Sequence, residues 1–145
     1  PPYHVADTVE AVADELDGDD ILVTPAAGIK REDGGFRSHA PSAGSVTALV
    51  ADAAPDDVPV VGAFHTLPAG RLADLDAELD IDTPVVGDDD SAKRQVIGLA
   101  EDIDGLRALD AGGIGAAAEV ESVTPLLLNV AQNNDGLHDL GVRFQ

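Results

Sequence analysis

Several groups of residues in this chain have the types and spacing to do chemistry. His65 follows the apolar run VPVVGAF, at the carboxyl end of an expected strand, where open α/β folds gather their ligands. Thr66 and Leu67 continue the same rim. The alternative for His65 is a strand-end side chain satisfied by a backbone carbonyl. Ser122 and Thr124 stand in VESVTP just before Pro125, where a hydroxyl can serve a ligand or take up backbone groups freed by the proline. Asp88-Asp89-Asp90 could hold a hard cation. Negative charge at the start of the helix SAKRQVIGLAEDI explains the run better, so no metal site is expected.

A fifth string, Gly113-Ile114-Gly115-Ala116-Ala117-Ala118, has the look of a dinucleotide loop between a strand and a helix. In such loops glycines let the backbone approach a pyrophosphate, and an acidic residue about 20 positions on meets the ribose. Here the chain runs straight into its last helix with no further βαβ unit. The glycines are therefore expected to make a strand-to-helix turn.

The elements that must position these groups alternate. ADTVEAVADEL has apolar residues at helical spacing, with Asp7 or Thr8 as the expected cap, and DDILVTPAA is a short strand stopped by Pro25. GIKREDGGFRSHAP is expected to be a polar, Gly-rich loop. Then come a helix SAGSVTALVADAA with Ser42 or Ser45 near its start, the strand DVPVVGAFHT, and a shorter helix LPAGRLADLDAEL. A strand DTPVVGDDD, the helix SAKRQVIGLAEDI, a strand GLRALDAGG and a long helix AAAEVESVTPLLLNVAQNN interrupted at Pro125 complete the pattern, with GVRFQ as a final strand or ordered tail. Strands joined by helices predict an α/β fold: a mainly parallel sheet with helices on both faces, Rossmann-like and incomplete at the N-terminus.

Composition narrows the function classes. The chain has 145 residues, a size for one domain, and a formal net charge of -20 with only 8 Lys and Arg. That balance leaves little to neutralise a nucleic-acid backbone, so no nucleic-acid partner is expected. Acid spread over every polar segment, with lysine depleted, predicts a halophilic protein kept hydrated in strong salt, the alternative being a merely acidic mesophilic protein. The absence of Cys excludes disulfides and thiolate chemistry. No leader and no membrane-spanning run are read from the sequence, so a cytoplasmic location without membrane partners is expected. The opening PPYHVADTVE, without Met, reads as the middle of a longer protein.

In the order AFHTLPA, GDDDSAK, LRALDAG, VESVTPLLLN and the terminal DLGVRFQ, the chain resembles the NADP-dependent coenzyme F420 oxidoreductases, which pass hydride between a deazaflavin and NADP. The resemblance runs from Pro1 to Gln145. It implies a single α/β domain over 1–145 forming the C-terminal two-thirds of such an enzyme, with the NADP loop and 2'-phosphate site in an N-terminal third; the alternatives are a non-catalytic deazaflavin-binding remnant and another NADP-linked dehydrogenase. The implied cofactors are coenzyme F420 and NADP, and the implied partners are these small molecules and a second copy in a homodimer. By the same resemblance His65, Ser122 and Thr124 are the catalytic positions, and these with Thr66 and Leu67 contact the cofactor rings. The loop that carries Lys30, Arg31, Arg37 and His39 is by default a solvated loop, with a site for the phosphate and carboxylates of the deazaflavin tail as the functional alternative. Two departures stand out: Gly112-Gly113-Ile114 where members have Gly-Pro-Leu, and Ala118 where members commonly have Arg. The first makes the GxGxxA string accidental, and the second puts any role of that Arg in doubt.

Overall fold

The computed structural model describes residues 2–74 and 78–145. Six strands form: β1 (Leu22–Thr24), β2 (Ile29–Glu32), β3 (Gly35–Ser38), β4 (Val60–Gly62), β5 (Ile81–Gly87) and β6 (Leu106–Asp110). The helices are α1 (Val5–Val12), α2 (Val46–Ala53), α3 (Ala69–Leu72), α4 (Asp90–Glu101) and α5 (Ala117–Asn133). The central sheet has the order β1-β4-β5-β6.

Side-chain alternation along the strands buries both faces. On β4 and β5, Val61, Ile81 and Val85 pack with Ala92, Val96 and Ala100 of α4. Their neighbours point the other way: Val60 packs with Val9 of α1 and Val50 of α2, and Val86 with Ala117 and Val120 of α5. Helices thus cover both faces of a mostly parallel sheet, as expected from the sequence.

Local signals account for most element starts. Ser45 caps α2, accepting from the Ala48 N–H at 2.9 Å, and Asp89 caps α4, accepting from the Ala92 N–H at 2.7 Å. The first helix differs from expectation. It begins at Val5 after His4 with no side-chain cap, and the Thr8 hydroxyl instead donates to the His4 carbonyl at 2.9 Å.

Four further expectations are corrected. β1 with β4 and β5 with β6 are parallel, but β4 runs antiparallel to β5, pairing Val61 with Gly87 and Gly62 with Val86. Among the described residues of the link between them only the four-residue α3 is helical, too little for a crossover helix, so the chain doubles back beside its own strand. The helix expected over 67–79 is correspondingly short, and its residues 75–77 lie outside the described residues, as does Pro1. The polar loop around Lys30 is a β-hairpin with Lys30 opposite Arg37. It turns at Asp33-Gly34, where Gly34 has φ 101°, a conformation glycine adopts freely. Asn129 of α5 holds this hairpin, accepting the Phe36 N–H and donating to the Phe36 carbonyl, both at 2.7 Å. Finally, α5 is not interrupted at Pro125, which lies buried inside the 17-residue helix.

The tail is tied down by one buried charge. Asp82, fully buried on β5, accepts Arg107 Nε at 2.9 Å and Nη2 at 2.6 Å, and the Phe144 N–H at 2.6 Å. The Arg107 guanidinium holds the Asp82 carboxyl below the usual carboxylate range. The tail itself makes a single bridge, Val142 opposite Asp82.

Candidate functional site

The site is built where β4 ends. The Ala63 N–H donates to the Thr24 carbonyl at 3.1 Å. Phe64 then turns sharply, with φ 66°, a left-handed conformation unfavourable for a bulky side chain. Its N–H donates to Thr83 Oγ1 of β5 at 3.0 Å. The next residue, His65, has its carbonyl held by Thr124 Oγ1 of α5 at 2.8 Å. Two threonines from different elements therefore fix the peptides on either side of this turn.

His65 is 6% exposed and Thr66 2%. Among the described residues neither ring nitrogen of His65, nor the Thr66 hydroxyl, has a hydrogen-bond partner. The backbone carbonyl envisaged as a partner for the ring is thus not used. Leaving a buried polar atom unpaired costs about 1–3 kcal/mol, so three such atoms side by side are costly unless something else satisfies them. Burial pushes the His65 pKa down to about 4, because the charged ring would lose its hydration. At neutral pH the ring is uncharged and offers one donor and one acceptor.

The residues that carry these atoms line a cavity of about 230 Å³, together with Leu67 and with Thr124, Leu127 and Leu128 of α5. Among the described residues Asp139 is the one charged side chain on its wall. A second hollow of about 480 Å³, bounded by Pro25, Phe64, Leu72 and Ile103, shares His65 and Leu67 with the first. Mostly apolar walls with a few convergent polar groups suit a flat heteroaromatic ligand.

Of the residues singled out in the sequence, His65, Thr66, Leu67 and Thr124 come together here. Ser122 does not line this cavity. Its hydroxyl donates to the Glu119 carbonyl of its own helix at 2.7 Å, the local alternative open to a serine beside a proline. Its neighbour Glu121, which the sequence reading passed over, is 3% exposed. The Glu121 carboxylate accepts the Val46 N–H, the Thr47 N–H and the Thr47 hydroxyl, each at 2.9 Å. It thereby caps α2 from across the fold, at the helix end where negative charge is favourable. The signal was an acid in register with buried Ala117 and Pro125 on the apolar face of α5.

The glycine turn carries its own anions. The Gly112 N–H donates to Asp110 at 2.8 Å and the Ile114 N–H to Asp88 at 2.9 Å. Buried Lys93 sits 3.1 Å from Asp110 and 3.4 Å from Asp90. Protein carboxylates occupy amides that a dinucleotide loop would turn toward phosphate. The acid run is likewise spent on the fold, with Asp89 capping α4. Among the described residues no group of three or more His, Asp or Glu is placed to share a metal ion.

Residues Ile114–Asn133 form a 20-residue helical stretch apolar enough by length and composition to cross a membrane. Within the fold this stretch is anchored by Glu121 to α2 and by Asn129 to the hairpin.

No family model matches the chain. It is 40% identical over 98 residues to the F420-dependent NADP reductase of Methanocaldococcus jannaschii, covering 66% of this chain and 44% of that protein. It is 37% identical over 85 residues to the F420-dependent NADP reductase of Methanothermobacter marburgensis, covering 59% and 38%. The chain thus spans about two fifths of the length of these relatives. Its fold is shared with a solved Arthrobacter sp. FB24 protein provisionally named an F420-dependent NADP-reductase: TM-score 0.77, 23% identity, 93% of this chain and 61% of that one. A hypothetical protein of Sinorhizobium meliloti superposes with TM-score 0.68 at 27% identity, over 84% of this chain and 58% of that one. Over about two thirds of its length, then, this chain is homologous to the F420-dependent NADP reductases.

Proposed function

We propose that this chain is part of an F420-dependent NADP reductase, an oxidoreductase that transfers hydride between reduced coenzyme F420 and NADP, and that it supplies the deazaflavin side of the site. The observation that carries this is the trio of unpartnered buried atoms, His65 Nδ1 and Nε2 and Thr66 Oγ1, beside an apolar cavity at a strand end. A neutral imidazole and a hydroxyl fit the mixed donor and acceptor edge of a flat ring, and Leu67 and Leu127 fit its faces. When bound, the deazaflavin supplies the two-electron carrier chemistry. The chain's residues bind and orient the ring and exclude water. The hydride transfer itself asks no acid or base of them, and the proton that reduced F420 gives up on oxidation leaves to water; a His65 uncharged at neutral pH agrees with an orienting role. Thr124 serves by holding the His65 carbonyl. The reading does not use Ser122.

In this reading residues 1–145 form a single α/β domain, and the NADP pyrophosphate loop belongs to the part of the relatives that the chain does not span. A cytoplasmic, homodimeric and halophilic enzyme completes the proposal. The acidic surface, with net charge -20, supports the last of these, since screening by molar salt relieves its repulsion. The test is fluorescence titration of coenzyme F420 into the full-length protein. His65→Ala is expected to weaken binding at least about tenfold, the loss of a buried, oriented polar contact. Unchanged affinity in His65→Ala and Thr66→Val together overturns the placement of the ring.

A further inference from the structure

Thr83 makes no contact with the cavity, yet its hydroxyl controls how the chain enters it. The antiparallel ladder between β4 and β5 ends with Gly62 opposite Val86. Continuing that register sets Phe64 opposite Pro84, which has no N–H to give. At this point the backbone leaves the strand through Phe64 at φ 66°, and a phenylalanine stays in the left-handed region only where its surroundings hold it there. The hold is a side chain: Thr83 Oγ1 accepts the Phe64 N–H at 3.0 Å. Thr83 is fully buried, at 0% accessibility, in a strand whose other buried residues include Ile81, Asp82, Val85 and Val86. A hydroxyl in such a place is unfavourable unless it is used.

We propose that Thr83 is a positioning residue, which fixes the strained Phe64 peptide and so aims the His65 ring into the cavity. Thr124 grips the carbonyl after the turn and Thr83 the amide before it. Without Thr83 the Phe64 peptide relaxes toward an ordinary extended conformation, and the imidazole leaves its buried position. Valine matches the shape of threonine without the acceptor, and serine keeps the acceptor without the methyl, so the two substitutions separate packing from positioning.

The test is nuclear magnetic resonance titration of the His65 ring in the wild-type chain, Thr83→Val and Thr83→Ser, with coenzyme F420 affinity measured alongside in the full-length protein. In Thr83→Val the His65 titration is expected to rise by about one pH unit as the ring gains water, with the F420 dissociation constant about tenfold higher. Thr83→Ser is expected to titrate as the wild type does, with a lower melting temperature from the lost methyl. A wild-type His65 titration in Thr83→Val overturns the proposal. So does a Thr83→Ser shift as large as that of Thr83→Val, and the serine variant decides alone should the valine variant fail to fold. The affinity arm rests on the deazaflavin reading and the imidazole arm does not. A moved imidazole with unchanged F420 affinity supports the positioning role and counts against the ring site.

Discussion

Thr124 Oγ1 donates to the His65 carbonyl across 2.8 Å and 59 positions of sequence. This bond is where the last helix meets the end of β4, and it closes the cavity between them. Because the carbonyl is partly buried, removing the donor leaves it with less than its full solvation. Thr124→Val is expected to cost about 1 kcal/mol, read as a fall of roughly 3 °C in melting temperature for a domain of this size. Thr124→Ser should recover most of the loss. Calorimetry showing equal melting for wild type and valine variant speaks against the bond's contribution.

The His65 ring predicts a pH dependence of stability. Its folded pKa lies near about 4, below the roughly 6.5 of an unfolded histidine. Between those values the unfolded chain binds the extra proton, so stability falls as pH drops from 6.5 towards 4 and is constant, for this group, above 6.5. The full effect is at most about 3 kcal/mol, from about 1.4 kcal/mol per unit. Urea unfolding of wild type and His65→Asn at pH 7 and pH 5 measures it. The difference between the two proteins should change by one to two kcal/mol, roughly, over that interval. A difference that stays constant shows that the ring is already hydrated in the folded chain.

How much of this was visible in the sequence depends on how local each cause is. The strand that ends just before His65 is legible because the apolar run VPVVGAF marks it locally, and the helix caps Ser45 and Asp89 are legible because capping is satisfied within one turn. The hairpin was missed. IKRE and GFRS carry little apolar alternation, and what holds them is Asn129, far along the chain. The antiparallel turn back from β4 is not legible because the periodicity of LPAGRLADLDAEL suggests a crossover helix, whereas among its described residues only Ala69–Leu72 is helical. Thr83 and Glu121 act through partners that no neighbouring residue announces.

Glu121 is the clearest of these hidden supports. Its carboxylate satisfies two backbone amides and one hydroxyl at the start of α2. Glu121→Ala leaves those buried donors unpaired and is expected to destabilise the fold by about 3 kcal/mol. Glu121→Gln keeps one acceptor oxygen and should cost about half as much, since the amide nitrogen then faces donors. Hydrogen exchange should show the Val46 and Thr47 amides losing protection first. Protection unchanged in the alanine variant means that α2 is held by packing alone.

The glycine turn after β6 is expected not to bind NADP. A pyrophosphate needs free backbone amides at a helix N-terminus, and here the Gly112 and Ile114 amides already donate to Asp110 and Asp88. The Gly112 amide and Lys93 hold the Asp110 carboxyl below the usual carboxylate range, so it stays charged and repels a phosphate. Gly113 is equally committed: a Cβ there would stand 2.6 Å from Asp88 Oδ1, so its smallness serves the Asp88 contact. Calorimetric titration of the 145-residue chain with NADP in molar potassium chloride, which screens the net charge of -20, should give no micromolar binding. Gly113→Val should lower the melting temperature by displacing Asp88 and leave the titration as flat as before. Micromolar binding by the wild-type chain that disappears in Gly113→Val would establish the turn as a nucleotide site after all.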